Sequence, residues 1–201
     1  MGIAAIVAQY VTFQPLFRQM GMGPVGSAFG MLMFFTILTN ILLVVVYWSA
    51  ISGSAGRAAR FFGQVGVRTA IAAQITLVAI VYEALIRGQL PLTWPMMITD
   101  ALLHNVAPLV YLIWWWLLPA KQSLSYAQIP RWILWPITYL AFIMAWGVIT
   151  GGFLYPFLDL NKLGTGIVSI NIALLIALLA AICSGLNRIS RFQAGDAGAG
   201  P

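Results

Sequence analysis

Long apolar runs separated by short polar joints constrain this chain more than any other feature. A helix crosses the hydrocarbon core of a bilayer with about 20 mostly apolar residues. Six stretches qualify here, at about residues 3–16, 28–50, 69–86, 97–118, 132–150 and 166–186. Soluble domains carry roughly 25% charged and 45–50% apolar residues, against 7% and 62% in this sequence. No water-soluble fold of 201 residues hides that much apolar surface. The expected class is therefore all-α, a polytopic transmembrane helical bundle of six spans. Residues 1–190 are expected to form one domain, and the Gly- and Ala-rich tail 191–201 to be disordered. Met1 to Pro15 lacks the positive start and small-residue cleavage pattern of a secretory signal and reads as a membrane helix.

Charge narrows the partners. The net charge of +6 arises from basic residues scattered among apolar spans, with no dense run. Nucleic acid is thus not an expected partner, whereas anionic lipid headgroups are. With six spans, Arg57, Arg60, Arg68, Lys121, Arg131, Arg188 and Arg191 share one side, and Arg18, Arg87 and Lys162 the other. The positive-inside rule then predicts two cytoplasmic termini. Cys183 and His104 are the only cysteine and histidine, so neither a disulfide nor a zinc site is expected, and no cofactor is implied. The glycines of GMGPVG, residues 21–26, lack the lysine and the strand-to-helix setting of a phosphate-binding loop. Trp114 to Trp116 read as an interfacial anchor.

Polar side chains within a span are costly and mark candidate sites. The expected orientation puts Thr36, Thr39 and Asn40 of the second span, Glu83 of the third, and Asp100, His104 and Asn105 of the fourth in the outer half of the bilayer. Thr36 and Asn40 lie four apart on one helix face, as do Asp100 and His104. An imidazole beside a hydroxyl permits nucleophilic catalysis, and an Asn amide at position 40 or 105 can donate to an oxyanion. Each residue also has a plain structural use. A threonine hydroxyl bonds back to its own helix, Asn40 and His104 bridge helices, and Glu83 pairs with Arg87 one turn on.

Three stretches carry a family likeness: FFTILTN at residues 34–40, LLHNVAP at 102–108 and GGFLYPFLD at 151–159. Their order and spacing resemble the androgen-induced and androgen-dependent TFPI-regulating membrane proteins, especially the bacterial relatives, over nearly the whole chain. Animal members are multipass threonine hydrolases that cleave fatty acid esters of hydroxy fatty acids with an intramembrane Thr and His. The resemblance implies Thr36 as nucleophile, with Thr39 as the alternative, and His104 as base. It implies a lipid substrate and, for a bacterial chain, the inner membrane. Tyr155, Pro156, Phe157 and Asp159 are read either as a loop covering the site or as a structural turn. A rival expectation is a non-catalytic protein that binds or moves a small lipophilic or ionic ligand along Glu83, Asp100 and His104.

Overall fold

A computed structural model describes residues 2–53, 56–118 and 124–197; Lys121, counted above for orientation, lies outside them. Among the described residues all regular structure is helical. The helices are α1 (Gly2–Gln19), α2 (Pro24–Leu32), α3 (Phe35–Ile51), α4 (Arg57–Gly63), α5 (Val65–Val81), α6 (Trp94–Ala101), α7 (Ala107–Leu117), α8 (Ile129–Thr150) and α9 (Leu160–Ala197). A π-helical turn, Tyr82–Ile86, prolongs α5, and a second, Leu102–Val106, joins α6 to α7.

Among the described residues four helical stretches are long and apolar enough to cross a membrane: Val65–Ile86, Trp94–Leu117, Tyr126–Thr150 and Leu160–Gly195, the last kinked at Gly164. A fifth exists only if α2 and α3, which meet at 81°, count together as one span. The second expected span is thus a broken one rather than a straight helix. The first, α1, is not among the helices apolar enough to span. Its polar residues serve its neighbours instead: Tyr10 donates to the Pro24 carbonyl at 3.0 Å, Gln14 to Ser27 at 2.8 Å, and Thr12 meets Thr99 at 3.1 Å.

The chain divides into two compact units, 1–118 and 119–201. In the first, Ala5, Phe17, Met31, Ile37 and Leu103 form an apolar cluster drawn from α1, α2, α3 and the second π turn. At the other end of α3, Tyr47 packs edge-on against Tyr111 and Trp114. Of the three consecutive tryptophans only Trp116 is exposed; Trp115 is buried and its indole N–H donates to Thr69 Oγ1 at 3.0 Å. One anchor and one core residue therefore replace a uniform interfacial run.

In the second unit, α8 ends on Gly151, whose φ of 74° only glycine adopts without strain. The Phe153 ring lies against Gly147, and a Cβ there would collide with it. Gly147→Ala is expected to lower the unfolding free energy by about 1–3 kcal/mol, as over-packing does. A thermal unfolding midpoint in detergent equal to that of the wild type would contradict this. Helix α9 continues to Ala197, so the tail expected to be disordered from residue 191 is helical that far. Residues 198–201 lie outside the described ones.

Candidate functional site

Local structure decides which threonine hydroxyl is available. Phe34 has extended backbone angles (φ −81°, ψ 130°) and caps α3, so Thr36 sits in the first turn of that helix. A threonine inside a helix normally returns its hydroxyl to the carbonyl four residues back. For Thr36 that carbonyl belongs to Leu32, in the helix turned away by 81°. Its Oγ1 lies instead 3.1 Å from His104 Nε2. Thr39, one turn further in, bonds back to the Phe35 carbonyl at 2.8 Å and is fully buried, whereas Thr36 is half-buried.

His104 is positioned by the π turn around it. Pro108 has no N–H to offer the carbonyl four residues back, that of His104, and its ring crowds that carbonyl. The helix widens there, and the Ala107 N–H closes on the Leu102 carbonyl five residues back. Such single π turns are frequent at functional sites.

The hydrogen bonds of the imidazole assign its tautomer. Nδ1 lies 2.9 Å from the Asp100 carbonyl oxygen, which only accepts, and 3.1 Å from the Asp100 carboxylate Oδ1. Nδ1 therefore carries a hydrogen, and in the neutral ring the bare Nε2 faces Thr36, whose hydroxyl then donates. His104 and Asp100 are 9% and 7% exposed, so water competes little for either contact. The far carboxylate oxygen, Oδ2, accepts from the Tyr82 hydroxyl, and the Tyr82 ring stacks on the imidazole with centroids 3.8 Å apart.

The remaining candidates fall into separate roles. Asn40 donates to the carbonyls of Thr36 (2.9 Å) and Leu103 (3.3 Å). Both of its amide hydrogens are thereby engaged, which leaves none for an oxyanion. It ties the Thr36 turn to the residue before His104 and is 1% exposed. Asn40→Leu should destabilise the protein by about 1 kcal/mol, the scale of interhelical hydrogen bonds in bilayers. It should also lengthen the Thr36–His104 contact. Unfolding in detergent gives the first quantity, and full stability of the variant would exclude a bridging role.

Asn105 and Glu83 belong to an exposed cluster with Arg87. Asn105 donates to Glu83 Oε1 at 2.5 Å and accepts from Arg87 at 3.0 Å, and Arg87 pairs with both Glu83 oxygens. The Glu83 hydrogen bonds hold the Arg87 guanidinium proton still more tightly than usual. Tyr155, Pro156, Phe157 and Asp159 lie in the second unit and carry internal contacts. The Tyr155 and Tyr139 hydroxyls meet at 2.9 Å, Pro156 opens a 3-10 turn, Phe157 O accepts from Asn171 at 2.8 Å, and Asp159 Oδ1 caps the backbone N–H groups of Asn161 and Lys162. No group of three or more potential metal ligands occurs among the described residues.

Thr36, His104 and Asp100 thus come together, with Tyr82, which the sequence reading passed over. Its only sequence signal was its place beside Glu83, at the depth expected for the other polar residues. The arrangement is a hydroxyl, a base with its lone pair toward that hydroxyl, and a carboxylate behind the base. No family model, curated protein or solved structure matches this chain. The chemistry of the constellation is accordingly the main guide to function.

Proposed function

We propose that this protein is an integral membrane hydrolase that cleaves a fatty acyl ester, with Thr36 as nucleophile and His104 as general base and acid. The observation that carries the reading is the 3.1 Å approach of Thr36 Oγ1 to His104 Nε2, with the Nδ1 hydrogen directed at Asp100. The resemblance of FFTILTN and LLHNVAP to the motifs of membrane threonine hydrolases supports it independently. In the proposed reaction Thr36 Oγ attacks the ester carbonyl as its proton passes to Nε2. The tetrahedral intermediate collapses, the C–O bond to the alcohol breaks, and His104 returns the proton to the departing oxygen. Water, deprotonated by the same nitrogen, then attacks the acyl-threonine ester, releasing the fatty acid and restoring the hydroxyl. Asp100 orients the ring and stabilises the imidazolium that forms in each half.

A substrate with acyl chains reaches such a site from the bilayer. We place it in the outer half of a bacterial inner membrane with cytoplasmic termini, on the distribution of Arg and Lys, an arrangement in which α1 and the broken α2–α3 pair either both cross, giving six spans, or both do not, giving four. The test is labelling of the purified protein in detergent with a long-chain fluorophosphonate, with the adduct located by mass spectrometry. An adduct on Thr36 and turnover of acyl esters are expected. Retention of a lipophilic ligand with neither adduct nor turnover would replace this reading with a binding or transport protein.

A further inference from the structure

Tyr82 makes three contacts around the base. Its hydroxyl donates to Asp100 Oδ2, its ring lies nearly parallel to the His104 imidazole at 19°, and the Arg87 guanidinium carbon sits 5.3 Å from the centre of the same ring. The side chain is 5% exposed, so the phenol has little access to water and its hydrogen bond goes to the carboxylate. Its backbone carbonyl also closes the first π turn by accepting from the Arg87 N–H at 2.8 Å. The next residues of the two π turns, Glu83 and Asn105, are bonded to each other. Two consecutive positions of one turn are thereby clamped to the other.

We propose that Tyr82 is a positioning residue that holds the Asp100 carboxylate against Nδ1 and keeps the His104 ring in place; its catalytic consequence rests on the hydrolase reading above. A carboxylate free to rotate presents either oxygen to Nδ1, or neither. With Oδ2 held by the phenol, Oδ1 stays 3.1 Å from Nδ1. The stacked ring meanwhile opposes rotation of the imidazole out of the plane in which Nε2 faces Thr36. Groups that orient metal-binding histidines from behind are worth about 10–100-fold in function, and the same scale is expected of a group that orients this base. Removing the phenol oxygen alone removes the carboxylate clamp and leaves the stack.

Because His104 is the only histidine, nitrogen-15 histidine labelling reports one imidazole, and its two ring-nitrogen shifts read the tautomer with no reference to catalysis. The wild type in detergent should show the Nδ1–H form. In Tyr82→Phe the Nδ1–H form should persist on the Asp100 carbonyl while the Nδ1 shift moves as the carboxylate is released, and the maximal fluorophosphonate labelling rate should fall about 10–100-fold, with the half-saturating probe concentration changed less than about 2-fold. In an Asp100→Asn background the same substitution should change the labelling rate less than about 2-fold, since Tyr82 acts through the carboxylate. An unchanged Nδ1 shift in folded Tyr82→Phe would overturn the proposal, as would a full additional rate loss in the Asp100→Asn background. A wild type that shows the Nδ1–H form yet never labels would overturn the hydrolase reading while leaving the positioning role intact. Should Tyr82→Phe not fold, Tyr82→Trp, which also lacks the hydroxyl and keeps a ring, gives the same ring-nitrogen readout.

Discussion

Thr36→Ala should reduce fluorophosphonate labelling and ester hydrolysis by about 10³-fold or more, the scale seen when the nucleophile of such a unit is removed. Thr39→Ala should stay within about threefold of the wild type, because its hydroxyl is committed to its own helix and bonds of that kind contribute little. The contrast between neighbouring threonines isolates geometry from composition. Both carry the same functional group and lie on the same helix, but only the one in the first turn faces the histidine at 3.1 Å. Equal loss in the two variants, each verified as folded, would remove Thr36 as a nucleophile.

His104→Ala should lower the labelling rate by about 10²–10⁴-fold, the usual contribution of a positioned general base. Probe affinity should change far less, since the imidazole acts on the proton of Thr36 more than on the bound molecule. The same substitution strands the Asp100 carboxylate, which loses its Nδ1 partner while buried. Removing one member of such a pair costs stability, so the comparison requires equal amounts of folded protein. A His104→Ala protein that labels as fast as the wild type would exclude this histidine as the base.

The helical class and the membrane setting were legible from the sequence because they follow from composition and run length, which need no tertiary contacts. The residues of the site were largely legible for a related reason. Polar side chains within apolar spans are few, and a common depth already drew Thr36, Asp100 and His104 together. What misled was continuity. The apolar stretch that contains MLMFFT has neither proline nor glycine at the turn between α2 and α3, so nothing in its pattern marked an 81° bend. In α1, expected as a span, Thr12 and Gln14 make contacts that dock the helix onto its neighbours.

Chain composition by itself determined the solvent this protein requires, the secondary structure that solvent permits, and the short list of side chains able to do chemistry there. The tertiary structure decided which of them meet. A hydropathy pattern fixes depth along a helix and leaves rotation about its axis open, and rotation is what puts Nε2 rather than Nδ1 against a hydroxyl. Here it is set by packing around Leu103 and Ile37, by the π turn that Pro108 imposes, and by the break at Phe34 that frees Thr36 from its own helix. Tyr82 entered the site the same way, through a contact with Asp100, 18 positions further along the chain and on another helix.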